Sequence, residues 1–184
     1  VHLSWYQLTI EPNTVFYSQT PVLPGEDEIE SMQRDGMALL AASGYHRYEI
    51  SAYAAAGNTC RHNLNYWEFG DYLGLGAGAH GKLTGRDGKV RRYARHRMPE
   101  AYMRLAGGAA VVRQTRVLTR EDLILEFMMN ALRLTGGFDL SLFTRRTGLV
   151  TDVLEPRIRE AAGRGWLESQ GSILRPTPAG SDFL

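Results

Sequence analysis

The chain has 184 residues, 43% apolar and 10% aromatic, with a formal net charge of +1; it is long enough to bury a core in one large domain or two small ones. Its single cysteine excludes an internal disulfide and any multi-cysteine metal site, and implies a reducing, cytoplasmic setting. No run of 18 apolar residues offers a membrane-spanning helix, and no secretory leader is expected.

The chain begins at Val1, without Met, inside a segment of strand character, which suggests a piece of a longer protein. "VHLSWYQLTIEP" alternates over Leu3, Trp5 and Ile10 and predicts a strand that Pro12 ends. A loop and a helix follow. Glu26, Asp27 and Glu28 suit a helix N-terminus, Ile29, Met32, Gly36, Leu39 and Leu40 share a face, and Gly44 is a natural stop. "YHRYEISAYA" predicts a second strand. Strand, helix, strand is a βαβ unit, so a right-handed crossover and a parallel sheet are expected.

"CRHNLNYW", residues 60–67, then packs the cysteine, a histidine, two asparagines and two large aromatics into eight positions. It reads as a loop with two competing uses. Tyr66 and Trp67 can pack into a core while the polar groups cap backbone ends. Alternatively the segment contacts haem or another porphyrin: neutral His62 suits an axial iron ligand, flat aromatics suit a macrocycle, and asparagines can orient the imidazole. Cys60 offers a thiolate, but a lone cysteine is more often a small buried hydrophobe.

Gly74, Gly76, Gly78 and Gly81 punctuate the next stretch. A dinucleotide-binding loop would need a helix after it, and "KLTGRDGKVRRY" is instead a hairpin about Asp87-Gly88. The glycines then mark a strand whose backbone is approached closely by a packed neighbour or a ligand. Residues 86–120 carry 10 basic and 2 acidic side chains, between two acidic segments. Arg91, Arg92, Arg95 and Arg97 form either a solvated basic face or a grip for propionates. A short helix near Met98–Leu105 and a strand at "AVVRQTRVL" complete this part.

A domain boundary is expected near residue 118. Thr119 opens a helix with Asp122 at the capping-box distance and an apolar stripe of Leu123, Phe127, Ala131 and Leu134. Two shorter helices, at "FDLSLFTRRTG" and "EPRIREAAGRGW", precede a ribbon about Gln170-Gly171 and a terminal helical turn. This is the pattern of a winged helix. Its candidate recognition helix, residues 155–165, sets Arg157, Arg159 and Arg164 against Glu155 and Glu160, too balanced for phosphate neutralisation, so no nucleic-acid partner is expected.

"SWYQLTIEPNT", "GYHRYEISAYA", "CRHNLNYWEFGDYLGLGAGAHG" and "RPTPAG" together resemble the oxygen-independent coproporphyrinogen III oxidase family of radical SAM proteins, along essentially the whole chain. The stretch His62–Gly81 is similar to the haem-chaperone (HemW-like) branch, whose His-Asn-x-x-Tyr-Trp motif is His62, Asn63, Tyr66 and Trp67 here. The resemblance implies an α+β architecture. Residues 1–118 would be the C-terminal part of a partial TIM (β/α) barrel with a β-hairpin extension, and residues 119–184 a winged-helix-like domain. It implies haem as ligand, with His62 on the iron, and a haem-acceptor protein as partner. A peripheral membrane contact and a homodimer are compatible with it. It implies SAM and a [4Fe–4S] cluster in the full-length parent, with Gly76, Ala79 and His80 on the SAM-facing wall. The family's C-x-x-x-C-x-x-C motif is absent, so this chain is not expected to hold the cluster or to be catalytic alone. The competing expectation is a genuine oxidase that decarboxylates coproporphyrinogen III.

Overall fold

The computed structural model describes residues 1–183, and the chain divides into two compact units, Val1–Cys60 and Arg61–Leu184.

In the first unit, strand β1 (His2–Ser4) is followed by a helical turn α1 (Val15–Ser18), helix α2 (Glu26–Ala42) and strands β2 (His46–Glu49) and β3 (Ala52–Ala54). The acidic first turn of α2 suits the helix dipole, and Glu28 reaches back to the Gly25 N–H at 3.0 Å. Gly36 is needed in mid-helix because the Trp5 indole lies where a Cβ would sit. The expected stripe is nowhere fully buried: Ile29, Gly36 and Leu40 are half-buried, and Met32 and Leu39 are 51% and 69% exposed.

The sheet differs from expectation. Its order is β1-β3-β2 with both pairings antiparallel, so β1 and β2 run the same way but β3 lies between them. "YHRYEISAYA" is two strands, not one. The turn is made by Arg47, whose Nε and Nη2 both donate to the Ile50 carbonyl (3.1 and 2.8 Å), together with a register shift between Arg47 and Glu49. Neither glycine nor proline announces that turn. The first strand is also shorter than expected: its pairing with the chain before and after β3 ends at the Trp5 N–H on Ser51 O and at the Ala55 N–H on Val1 O.

The second unit starts with helix α3 (Arg61–Trp67). A three-stranded antiparallel meander follows, β4 (His80–Thr84), β5 (Val90–Arg95) and β6 (Val112–Val117), with helix α4 (Pro99–Leu105) between the last two. The β4–β5 turn is the Asp87-Gly88 turn expected from sequence: Gly88 has φ +73° and the Gly85 N–H donates to Lys89 O at 2.9 Å. Helix α5 (Arg120–Ala131) has the expected reciprocal capping box, Asp122 N–H to Thr119 Oγ1 and Thr119 N–H to Asp122 Oδ2. Strand β7 (Phe138–Asp139), helix α6 (Leu140–Thr147), helix α7 (Glu155–Gly163), strands β8 (Leu167–Gln170) and β9 (Ile173–Pro176), and a helical turn α8 (Pro178–Ser181) complete the chain. The ribbon is joined by β7 into a sheet ordered β7-β9-β8.

One core serves this unit. Phe127 of α5 is fully buried and meets Phe69, Phe138 and Phe143 edge-on, at ring distances of 5.8, 5.2 and 5.1 Å. Val90 of β5 and Leu118 join the same cluster as Leu123, Leu142, Leu154 and Leu174. Residues on both sides of position 118 therefore pack together. Each such side chain contributes roughly 1.5–3 kcal/mol on burial.

Candidate functional site

The "CRHNLNYW" segment is a helix rather than the expected loop: α3 runs through Arg61–Trp67. Histidine, asparagine and tyrosine are weak helix formers, so this helix of about two turns depends on its C-terminus. There the Phe69 N–H bonds Tyr66 O (3.0 Å) and the Gly70 N–H bonds Asn65 O (2.6 Å), the paired bonds of a Schellman ending. The left-handed position is Phe69, with φ +56° where glycine is usual. Its ring is buried against Phe127, and Lys82 Nζ lies 4.1 Å above it, packing that offsets the backbone strain. Two cations then reach the last carbonyls: Lys82 Nζ donates to Phe69 O (3.0 Å) and Arg146 Nε to Glu68 O (3.1 Å).

Helical spacing sorts the motif into two stripes. His62 and Tyr66 share one; their rings meet edge-to-face at 4.9 Å, and His62 is exposed while Tyr66 is half-buried. Tyr66 in turn lies against Tyr72 at 4.3 Å. Desolvation, and then Tyr72, raise the Tyr66 phenol, with Arg92 opposing, so it stays protonated at neutral pH. Asn63 and Trp67 share the other stripe. The Arg133 guanidinium sits 4.3 Å over the Trp67 ring, so that face of the indole is occupied by protein. The indole Nε1 is buried without a hydrogen-bond partner among the described residues.

Lys82 is the unit's most deeply buried cation. Besides Phe69 O it donates to Asp71 Oδ1 at 3.2 Å. Burial lowers its pKa despite the Asp71 carboxylate. Desolvation would raise the Asp71 carboxyl, but hydrogen bonds from Thr84 N and Oγ1 and from Lys82 outweigh it and hold the group below its ordinary value. Nothing in the spacing of Asp71 and Lys82 marked this pair beforehand.

Of the expected glycine strand only Gly81 lies in a strand, β4; Gly74, Gly76 and Gly78 lie in the irregular loop that leads into it. Two of these glycines answer to packed neighbours: a Cβ on Gly74 would strike the His80 carbonyl, and one on Gly81 the Tyr93 ring. Gly76 has φ +104° and open space where a Cβ would be, and its N–H donates to the Tyr102 hydroxyl at 3.2 Å. Ala79 is tied back by its N–H to Gly76 O, and its carbonyl accepts from Arg95 N. His80 begins β4 and, with Arg92, Tyr93, Ala94, Gln114 and Arg116, lines an open cavity of about 200 Å³. Gly76, Ala79 and His80 are thus positioned by the meander and α4, whereas the α3 side chains are positioned by Tyr72 and Arg133.

The donors present do not suit an iron–sulfur cluster. Cys60 is the lone thiol, and among the described residues no group of three or more His, Cys, Asp or Glu side chains is placed to hold a metal ion. No helix of the described residues is long and apolar enough to cross a membrane.

Residues 118–183 match the HemN C-terminal domain family. The fold is similar to that of coproporphyrinogen III oxidase (HemN) from Escherichia coli, a radical SAM enzyme, with a TM-score of 0.61 at 16% identity over 86% of this chain and 39% of that one. The chain belongs to this family as a C-terminal part, in its HemW-like branch. It is 44% identical to heme chaperone HemW of Escherichia coli strain K12 and 39% identical to heme chaperone HemW of Haemophilus influenzae, in each case over all of this chain and 47% of the relative. The chain spans about half the length of the curated relatives it matches.

Proposed function

We propose that this chain is the haem-handling C-terminal portion of a haem chaperone, a protein that binds haem and passes it to an acceptor protein in the cytoplasm. The observation that carries the reading is the His62–Tyr66–Tyr72 stack: an exposed imidazole held edge-on against a phenol ring, which is itself backed by a second ring. A neutral imidazole is a good axial donor to haem iron, and the aromatic wall beside it suits a flat macrocycle. Asn63 would help orient the helix face. Trp67, with Arg133 across its ring, supports the motif by packing.

In this reading residues 1–118 are the last part of a partial TIM barrel, and the apolar surface of α2 faces barrel elements contributed by the rest of the parent. Residues 119–184 are a winged-helix-like unit without a nucleic-acid partner. The charges on and beside α7 and β9 support that: Arg159, Arg164 and Arg175 are each paired with a glutamate, which lowers the uncompensated charge that phosphates would need. SAM and the cluster belong to the parent, with Gly76, Ala79 and His80 toward SAM. A homodimer and a peripheral membrane contact are compatible with delivering haem to acceptors.

Haem titration of the full-length parent tests this. His62→Ala is expected to weaken haem binding and shift the Soret band, and His80→Ala to do less. An unchanged spectrum and affinity in His62→Ala would make the motif structural. Anaerobic decarboxylation of coproporphyrinogen III by the full-length protein would move the assignment to the oxidase.

A further inference from the structure

The three cations Lys82, Arg92 and Arg116 lie directly opposite one another across β4, β5 and β6. Like charges in register repel, and three carboxylates answer the three cations: Asp71 pairs with Lys82, Asp122 with Arg116, and Glu126 with both Arg92 and Arg116. The row is neutralised and offers no free charge to an anion. What it does is immobilise Arg92, which sits between two other cations and is two-thirds withdrawn from solvent, its side chain 29% exposed.

Arg92 uses its fork in two directions. Nε donates to Glu126 Oε2 at 2.7 Å, and Nη1 donates to the Tyr72 hydroxyl at 2.7 Å. The backbone of Tyr72 is fixed as well, by the reciprocal bonds Tyr72 N to Lys82 O (2.9 Å) and Lys82 N to Tyr72 O (3.0 Å). The Tyr72 ring is therefore held at both ends. Against it lies Tyr66 at 4.3 Å, and against Tyr66 lies the exposed His62 imidazole at 4.9 Å. A continuous series of contacts runs from Glu126 in α5 to the imidazole in α3.

We propose that Tyr72 and Arg92, anchored by Glu126, are positioning residues for the haem site: they set the plane and rotamer of Tyr66, and through it the orientation of the His62 ring presented to the iron. This rests on the reading of His62 as the haem ligand. The physical reason is that α3 is short and His62 has a free side; the edge-to-face contact with Tyr66 is the restraint seen on its ring, and it is only as rigid as Tyr66. An imidazole whose plane is fixed binds iron without losing that freedom on ligation, and its orientation sets the anisotropy of the ferric ion.

The experiment is titration of the full-length protein with haemin, with the Soret band, low-temperature EPR of the ferric complex and circular dichroism read on each variant. Tyr72→Phe keeps the ring and removes the acceptor. Arg92→Lys keeps the charge, but one ammonium cannot reproduce the two directions of the fork. Both are expected to change the ferric g-values and weaken haem binding by about tenfold, the usual scale for a partner that orients a metal ligand. Their circular dichroism should stay that of the parent. Arg175→Gln removes an exposed charge paired with Glu168 on the C-terminal ribbon and is expected to bind like the parent. If Tyr72→Phe and Arg92→Lys bind haem with parental g-values and affinity while His62→Ala does not, the positioning inference falls and the ligand assignment stands. If Arg175→Gln weakens binding as much as Arg92→Lys, general charge is responsible and the inference falls. If His62→Ala binds as the parent does, the reading beneath it fails, and the inference with it.

Discussion

The two units use their apolar residues in opposite ways. In residues 61–183 a large core surrounds Phe127 and draws on strands β5 and β7, helices α5, α6 and α7, and the C-terminal ribbon of β8 and β9. In residues 1–60 the buried apolar side chains are Ala52, Tyr53 and Ala54, while Leu3, Trp5, Leu8, Phe16, Tyr17, Leu23, Met32 and Leu39 keep a third or more of their surface exposed. Local sequence preference is equally good in both: α2 has an acidic first turn and a glycine stop, as α5 has its capping box. The difference teaches that amphipathic pattern makes a helix, but only an opposing surface makes a core.

The largest effect that would break this contrast is at the centre of the second unit. Phe127→Ala should cost about 3–5 kcal/mol in denaturant unfolding of the chain, because a fully buried ring is removed from among three others. A loss under about 1 kcal/mol would mean that the cluster is not what holds the unit together.

Next comes the Asp71–Lys82 pair. Asp71→Ala leaves a buried ammonium with only the Phe69 carbonyl and should destabilise by about 1–3 kcal/mol. The pH dependence has a defined sign. The Asp71 carboxyl is depressed in the folded state, so its contribution is present above the unfolded value and is lost as pH falls through the folded one. The Lys82 ammonium is also depressed, by burial. The unfolded state then holds more protons between the two values, and stability rises as pH climbs through the folded value toward the unfolded one near 10.4. Lys82→Met should abolish that alkaline rise, which unfolding midpoints across pH would detect.

The smallest effect sharpens the comparison from the other side. Leu39→Ala should change the stability of this chain by no more than about 0.5 kcal/mol, since the side chain is 69% exposed. In the full-length parent the same substitution should cost about 2 kcal/mol or more, if α2 is covered there as proposed. Equal values in the two proteins would count against a barrel role for this face.

Some of this was legible residue by residue. Thr119 and Asp122 announced α5 because a capping box is a local reciprocal bond, and Leu123, Phe127, Ala131 and Leu134 announced its buried face because helical spacing is short-range. Asp87-Gly88 announced the hairpin for the same reason. Other features were closed to that reading. The run "YHRYEISAYA" looked like one strand because the group that folds it back, the Arg47 guanidinium on Ile50 O, is a side chain that alternation ignores. Residues 61–67 looked like a loop because their helix is stabilised from outside, by Lys82 and Arg146 on its last carbonyls and by the Phe69 ring in a core assembled mostly from residues after 118.

The sequence by itself determined the composition of the motif, the lone cysteine, the hairpin, the α5 cap and stripe, and the family likeness, since each is written in residues a few positions apart or in the order of residues alone. Only the tertiary structure decided that His62 stands on an exposed helical face, that Tyr66 is backed by Tyr72, and that Arg92 and Glu126 lock that ring from β5 and α5. These groups are up to 64 positions apart, from His62 to Glu126, and meet only because β4–β6 and α5 fold onto α3. Distance along the chain carries no information about such a meeting, which packing alone brings about.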